Sequence, residues 1–473
     1  MRMIISTSLA TAAALFISSS AYASDLRYEG FPVTLKGYQG DETTSVSYSG
    51  QVARAVLHDS LKKLASQGNG SANPELKAKM LAYFSGTDKG RAIIAPVTKG
   101  KYVIAETKVD ELSSGKNIAG KTFGGTISGM PGGMTGVELV EFWIDKASSA
   151  NGGVDLETGM NYPQLISKFI MGAMMYNQAV DNYLDEKLAA DNKPNNKPYG
   201  EGTHYTGKEH SWDEAFGYFG APVHAMSLKP ADAYNIAKMG GTSDAETVLA
   251  IADVNGNGKV DLKTEMVYGP AYYAAGADKS GKTAYLKTIT EAFIKGRQVI
   301  ADAKGEALSD EERAQLRQYA SEIEGHWQTV LAEAAFKYAG SVYKDMHSIH
   351  KLQENKADTA KAVANYIKHW GELKGFVLAL QTGKSNLGGV ATGMNRLIGA
   401  GPVMLDGMQV TNIDSSGNYV RSEANWDEYM VGMVKVQNLL ANSFPVEAKA
   451  NDATSELSAL LEKVGSGGTV END

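Results

Sequence analysis

Residues 309–349, SDEERAQLRQYASEIEGHWQTVLAEAAFKYAGSVYKDMHSI, form the stretch of sequence that decides the fold. Apolar residues recur there every three or four positions between Ile323 and Val342, and polar residues fill most positions between them. This period gathers the apolar side chains on one face of an α-helix, which can pack that face on a core. Ser309 followed by Glu312 is a capping box, which indicates that the helix begins there.

The same period recurs along most of the chain and predicts an all-α protein. Further helices are predicted over residues 50–65, 136–147, 162–190, 211–219, 285–303, 358–381 and 422–443. Strand patterns are scarce, and the two best, residues 31–38 and 45–48, predict short strands or extended segments.

The length of the chain bears on its domain organisation. Because 473 residues are too many for one small core, we predict two helical bundles. The first is residues 24–240, which include an extended N-terminal segment, and the second is residues 285–473. Residues 241–284 form a connecting segment between them, which contains a loop at 253–265.

Residues 1–23 have the features of a secretory signal peptide. Arg2 supplies a positive start, Leu9–Ile17 is a short apolar stretch, and Ala21-Tyr22-Ala23 is a cleavage signal. The apolar stretch is too short to span a bilayer and no second one follows, so we expect no membrane span. The chain has no cysteine, which excludes disulfides, thiolate catalysis and cysteine–zinc sites. These features predict a periplasmic protein, with secretion beyond the cell as the alternative.

The charge balance and the missing motifs exclude several classes of function. A formal net charge of −8 argues against nucleic acid as a partner, because phosphates are bound through Lys and Arg. The sequence contains no Ser–His–Asp order, no His-Glu-x-x-His, no Gly-x-Ser-x-Gly and no phosphate-binding loop. No catalytic residue is therefore predicted.

Residues 253–265, DVNGNGKVDLKTE, resemble an EF-hand calcium loop, which has oxygen ligands at positions 1, 3, 5, 7, 9 and 12. Gly258 stands at the sharp turn, but the acidic anchor comes one position late. The predicted calcium ligands are Asp253, Asn255, Asn257, the carbonyl group of Lys259, Asp261 and Glu265. The alternative is an Asn/Gly turn that binds no metal. A single displaced loop fits a structural role better than a calcium sensor.

Two histidine–glutamate pairs are the candidates for a second metal site. His210 and Glu214 are four residues apart, and His369 and Glu372 are three apart, so each pair shares a helix face. Brought together, these four side chains would suit zinc or iron. The alternative is that residues 211–214 form a capping box that uses Glu214, and that the histidines are packing residues.

A short pattern, Trp-x-Glu-x-x-Gly-aromatic, occurs at residues 212–218 and 370–376, with a looser copy beginning at Trp426. Its recurrence in both halves suggests that the two predicted bundles are related. The tryptophans of the three copies are expected to be core anchors.

Six stretches together carry a family resemblance. They are SVSYSGQVAR (45–54), PQLISKFIMGAMMYNQAVDNYL (163–184), WDEAFGYFGAPV (212–223), GNGKVDLKTE (256–265), AFIKGRQVI (292–300) and HWGELKGFVLAL (369–380). In this order they resemble the exported bacterial family DUF4856, over most of the mature chain. That family is similar to the imelysin-like proteins, which are built from two helical bundles. The resemblance implies an imelysin-like double bundle with the calcium-type loop between its halves.

The resemblance also carries an expectation about function. Imelysin-like proteins are tied to iron uptake and to metal or polyanion binding at the cell envelope, and some are named as peptidases. Their Gly-x-His-x-x-Glu pattern is matched only by His369 and Glu372, with Ile367 in place of the glycine. We predict a periplasmic non-enzymatic binding protein linked to iron acquisition, whose partners are a metal ion or small ligand and other cell-envelope proteins. The alternatives are a metal-dependent peptidase and a calcium-stabilised structural protein.

Overall fold

The computed structural model describes residues 27–241, 243–384 and 387–466 of the chain. The predicted signal peptide, residues 1–23, lies outside these ranges. Within them there are fourteen α-helices and two small sheets, so the prediction of a largely helical protein is confirmed. No helix in this described part of the chain is both long enough and apolar enough to cross a membrane.

The helices are numbered in chain order. They are α1 (Ser49–Ala65), α2 (Pro74–Phe84), α3 (Gly136–Ser149), α4 (Tyr162–Ile170), α5 (Gly207–Phe219), α6 (Pro230–Ala237), α7 (Ala245–Ala252), α8 (Gly269–Asp278), α9 (Tyr285–Asp302), α10 (Asp310–Glu354), α11 (Ala360–Ala379), α12 (Gly389–Ile398), α13 (Trp426–Ser443) and α14 (Leu457–Ser466). Helix α4 continues as π-helical turns over Met171–Tyr176 and Gln178–Tyr183.

The two sheets are antiparallel pairs. Strands β1 (Val154–Asp155) and β2 (Met160–Asn161) lead directly into α4. Strands β3 (Met408–Ile413) and β4 (Tyr419–Glu423) form a hairpin with an irregularity after Val410. The helix predicted over 422–443 therefore begins late, at Trp426, because its first predicted residues belong to β4.

Helix α10 is the central element, with 45 residues. Its predicted capping box is confirmed, since Ser309 accepts a hydrogen bond from the Glu312 N–H and Glu312 accepts one from the Ser309 N–H. At about 1.5 Å per residue it is roughly 67 Å long, which lets it contact α9, α11 and α13 along its length. Trp327 is fully buried at its middle.

The extended N-terminal segment is fixed to the helices by a buried ionic network. Residues Pro32 and Thr44 pair as an antiparallel bridge, in agreement with the predicted extended structure. Arg297 on α9 contacts Glu209 and Asp213 on α5, and all three are fully buried. Hydrogen bonds from this segment to the two carboxylates attach it to α5.

The buried apolar residues form a hydrophobic cluster that runs from Tyr28 to Val446 and includes residues of both predicted bundles. Helix α4 of the first half packs against α11 of the second, with Gly375 where the two helices meet. The division into two bundles stays a prediction, as does the imelysin-like fold.

Candidate functional site

The EF-hand-like loop, residues 253–265, is closed by hydrogen bonds from its own backbone to its side chains. Glu265 is fully buried, and its carboxylate accepts bonds of 2.8–3.2 Å from the N–H groups of Val254, Asn255 and Asp261. The displaced glutamate therefore reaches the interior of the loop and joins its two ends.

The other predicted calcium ligands also face the loop backbone. Asn255, Asn257 and Asp261 each accept a hydrogen bond from the N–H group two residues further on, and Lys259 is exposed. Asp253 accepts two such bonds, from the N–H groups of residues 257 and 258. These bonds give a compact turn whose oxygens are already engaged, and calcium binding by them stays a prediction.

The first histidine–glutamate pair lies inside an aromatic cluster. His210 is flanked by two tyrosine rings, whose centroids are 4.2 and 4.5 Å from its own. Glu214 accepts hydrogen bonds from Gln51 Nε2 at 2.7 Å and the Tyr183 hydroxyl at 3.1 Å, while His210 Nε2 is 3.8 Å away. Burial lowers the pKa of His210, although the Glu214 carboxylate opposes this shift.

The capping box considered for residues 211–214 is wrong. Helix α5 begins four residues earlier, where Thr206 and Glu209 form the capping box. Ser211 is an interior residue that donates to the Gly207 carbonyl group. Glu214 is therefore free of a capping role and interacts with side chains of neighbouring helices.

The second pair lies at the edge of a cavity. His369 Nδ1 is 2.6 Å from Asp345 Oδ2, and Glu372 accepts a hydrogen bond from the Tyr338 hydroxyl at 3.1 Å. The two histidine–glutamate pairs thus contact different residues: Gln51 and Tyr183 lie beside the first, and Asp345 and Tyr338 lie beside the second. No group of three or more His, Asp or Glu side chains in the described ranges is placed to hold a metal ion. The predicted iron or zinc site stays a prediction.

The cavity beside His369 and Glu372 has a volume of about 430 Å³ and is called here the lysine–tyrosine pocket. Helices α1, α4, α6, α8, α10 and α11 contribute to its wall. Its lysines are Lys62, Lys168, Lys238, Lys337 and Lys368, and its tyrosines are Tyr234, Tyr268, Tyr272, Tyr273 and Tyr338. Asp59 and Glu372 are the carboxylates in its described lining.

The solvent exposure of the lysines increases from the floor of the pocket to its rim. Lys168 is only 2% exposed, Lys62 is half-buried, and Lys238, Lys337 and Lys368 are exposed. The nearest carboxylate oxygen to the Lys168 ammonium is Glu372 Oε1 at 3.8 Å, which is beyond hydrogen-bond distance. The buried ammonium therefore keeps donors for a ligand.

Burial and crowding change the titration of the pocket. Burial, followed by the Lys62 ammonium, lowers the pKa of Lys168 well below its usual range. Lys238 is exposed over much of its surface, but partial burial against the pocket wall also lowers its pKa. Burial by itself would raise the pKa of Tyr234, but the Tyr272 hydroxyl and nearby lysines lower it overall. An anion in the pocket would relieve this excess of positive charge.

An aromatic wall lines one side of the lysine–tyrosine pocket. The rings of Tyr234 and Tyr272 are stacked with centroids 4.8 Å apart, and Tyr273 meets Tyr272 edge to face at 5.0 Å. Lys238 Nζ lies over the Tyr272 ring at 5.0 Å. The wall holds the flexible lysine stems in place and offers a flat apolar surface to a ligand.

Sequence reasoning found His369 and Glu372 but missed the lysines around them. The five lysines lie on five segments that are distant from one another in the sequence. The one local signal is the adjacent pair Tyr272-Tyr273 in a segment rich in glycine and tyrosine.

The fold and this site define a largely helical protein with a cationic pocket between its helices. Residues 152–248 match the family model described as "Domain of unknown function (DUF4856)", which confirms the predicted resemblance for this segment. This matched segment supplies Lys168, Tyr234 and Lys238 to the pocket. No curated protein and no solved structure matches the chain.

Proposed function

We propose that this is a non-enzymatic binding protein of the periplasm, whose lysine–tyrosine pocket binds a small anionic ligand. The observation that carries the proposal is the convergence of five lysines and two carboxylates on one pocket, in a chain of net charge −8. Five lysines and two carboxylates give the pocket a formal charge of +3 (five minus two), which is opposite in sign to the net charge of the chain. Such a local field concentrates anions in a concave site.

Lys168 is the group that best fits direct contact with the anion. It is held at the floor between Lys62 and Glu372, where burial and then the Lys62 ammonium lower its pKa and the Glu372 carboxylate only partly opposes them. A bound anion would stabilise the protonated amine, so binding would take up protons at pH values above the lowered pKa of Lys168. Affinity for the anion is accordingly expected to fall as pH rises.

Calorimetric titration of the full chain with inorganic phosphate, sulfate and acetate at low salt tests the proposal. The rim variants Lys238→Gln and Lys368→Gln should each weaken binding about two- to fivefold, the effect of one solvated charge. Lys287→Gln, which removes an exposed lysine of α9 outside the pocket, is the matched control and should change nothing. Absence of binding heat with all three anions at millimolar concentration would refute the proposal.

A metal-binding function is the second candidate, and one observation favours it. Asp345 engages His369 Nδ1, an arrangement that orients many metal-binding histidines and leaves Nε2 for the metal. Glu372 would be the second ligand, but the neighbouring Lys168 ammonium opposes a cation there. Titration with zinc and ferric iron, with His369→Gln as the variant, decides between the two candidates. Metal binding that His369→Gln abolishes would favour the link to iron acquisition.

A further inference from the structure

A small side cavity of about 70 Å³ adjoins the lysine–tyrosine pocket. The two share Tyr234, Tyr272, Tyr273 and Lys337 in their walls, so the same aromatic wall borders both. The far side of the cavity is made largely of small residues, including Gly276 and Ala334. Their lack of side-chain bulk is what leaves the space open.

The side cavity is mostly apolar in spite of a carboxylate in its wall. Glu333 lines it, but its carboxylate accepts hydrogen bonds from the N–H groups of Glu447, Ala448 and Lys449 at 2.5–3.0 Å. The charge is thus stabilised by backbone donors, and these bonds hold residues 447–449 against α10. Gly276 has no side chain and the alanine methyl groups offer no hydrogen-bond partner to water, so this side of the cavity favours hydrocarbon.

We infer that the ligand of the lysine–tyrosine pocket is an amphipathic anion. Its charged group meets the lysines, and a short alkyl chain or small ring enters the side cavity past Tyr272 and Tyr273. This inference rests on the proposed anion-binding function and adds the chemical class of the ligand. The shared chemistry is an organic anion with a compact apolar substituent, and it covers both carboxylic acids and phosphate monoesters.

Two homologous ligand series test the inference with the full chain. Inorganic phosphate is compared by calorimetry with methyl, ethyl and butyl phosphate, and acetate is compared with butyrate and hexanoate. Affinity should increase about fourfold for each methylene group that enters the cavity, from about 0.8 kcal/mol per buried CH₂. The gain should stop when the cavity is full. The better of the two series identifies the charged group.

Gly276 offers a variant that fills the cavity without touching a lysine. A β-carbon there would meet no atom closer than Tyr234 Cδ2 at 4.0 Å, so Gly276→Ala is accommodated in α8. Gly276→Leu should place further carbons in the cavity. It should remove most of the gain for butyl phosphate and leave binding of inorganic phosphate unchanged, with Gly276→Ala in between. Circular dichroism and melting temperature confirm that both variants fold.

The outcomes separate this inference from the proposed function. If inorganic phosphate or acetate binds but affinity is independent of chain length, the inference is overturned and anion binding stands. A chain-length gain that Gly276→Leu does not reduce overturns it equally, because the apolar group then lies elsewhere. If no member of either series binds, both the inference and the proposed function fail.

Discussion

Replacing Arg297 with methionine should destabilise the protein strongly, because it removes the one cation of a buried network. The guanidinium donates to Asp213 Oδ1 at 2.9 Å, to Glu209 Oε1 at 3.3 Å and to the Ser45 hydroxyl at 2.6 Å. Arg297, Glu209, Asp213 and Ser45 are all fully buried. Methionine matches the length of the side chain and leaves both carboxylates without their counter-ion.

The expected loss of unfolding free energy is about 3–5 kcal/mol, the usual result of leaving a buried charge unpaired. Two charge-assisted hydrogen bonds at about 1.5–3 kcal/mol each give an overlapping range of about 3–6 kcal/mol. The network also attaches the N-terminal segment, since the Tyr28 hydroxyl and the Ser47 N–H both donate to Asp213. Loss of that attachment should make the segment easier to cleave in limited proteolysis.

The destabilisation should depend on pH through Asp213. Burial raises the pKa of Asp213 to about 6, although Arg297 opposes the shift. A carboxyl group whose folded pKa is raised adds its full stability below the unfolded pKa of about 3.9, and this is lost as pH rises through 6. Without Arg297 the pKa rises further. The variant should therefore lose more stability at pH 8 than at pH 5.

Urea unfolding followed by circular dichroism at pH 5 and pH 8 measures both effects. Arg317→Met, on the exposed surface of α10, is the matched control and should change stability by less than about 0.5 kcal/mol. The reasoning is refuted if Arg297→Met and Arg317→Met cost the same. A loss for Arg297→Met that is equal at the two pH values would refute the assignment to unpaired carboxylates.

Three further changes test other parts of the fold. Burial lowers the pKa of Lys374 to about 7 in the folded protein, so the unfolding free energy should rise between about pH 7 and 10. The melting temperature of the wild-type protein should rise over this pH range, and that of Lys374→Met should not. In Gly375→Ala the new β-carbon would lie 2.6 Å from Lys168 Cβ, and this clash should lower the unfolding free energy measured in urea by about 1–3 kcal/mol. The control is Gly325→Ala on α10, where the β-carbon meets open space, and this variant should be neutral or stabilising. If the EF-hand-like loop binds calcium, millimolar calcium should raise the melting temperature of chelator-treated protein, and Asp253→Ala should abolish that increase.

The helices were largely predictable from the sequence, because periodic apolar residues and caps are local signals. The start of α10 at Ser309 and the burial of Trp212 and Trp370 agree with their predicted roles, but Trp426, the third predicted core anchor, is only half-buried. Errors arose where two local signals competed. Residues 211–214 match a capping box, but Thr206 and Glu209 form the actual one because the backbone is already helical at Gly207.

The candidate site was predictable only in part, for a physical reason. His369 and Glu372 share one turn of α11, so their proximity follows from helix geometry alone. The lysines that surround them come from five segments that are distant in sequence, and no local pattern specifies their meeting.

The sequence by itself determined that the chain is helical and where its longest helix begins, because these depend on neighbours within a few positions. The tertiary structure decided that Lys168, Tyr234 and Lys337 face one cavity, and that Arg297 neutralises carboxylates of another helix. Helix packing sets those distances, and the close approach of α4 and α11 at Gly375 is one of the contacts that fix them. The sequence alone does not indicate which charged side chains become buried. Only the packing of the helices shows which charges are removed from water and therefore need a counter-ion.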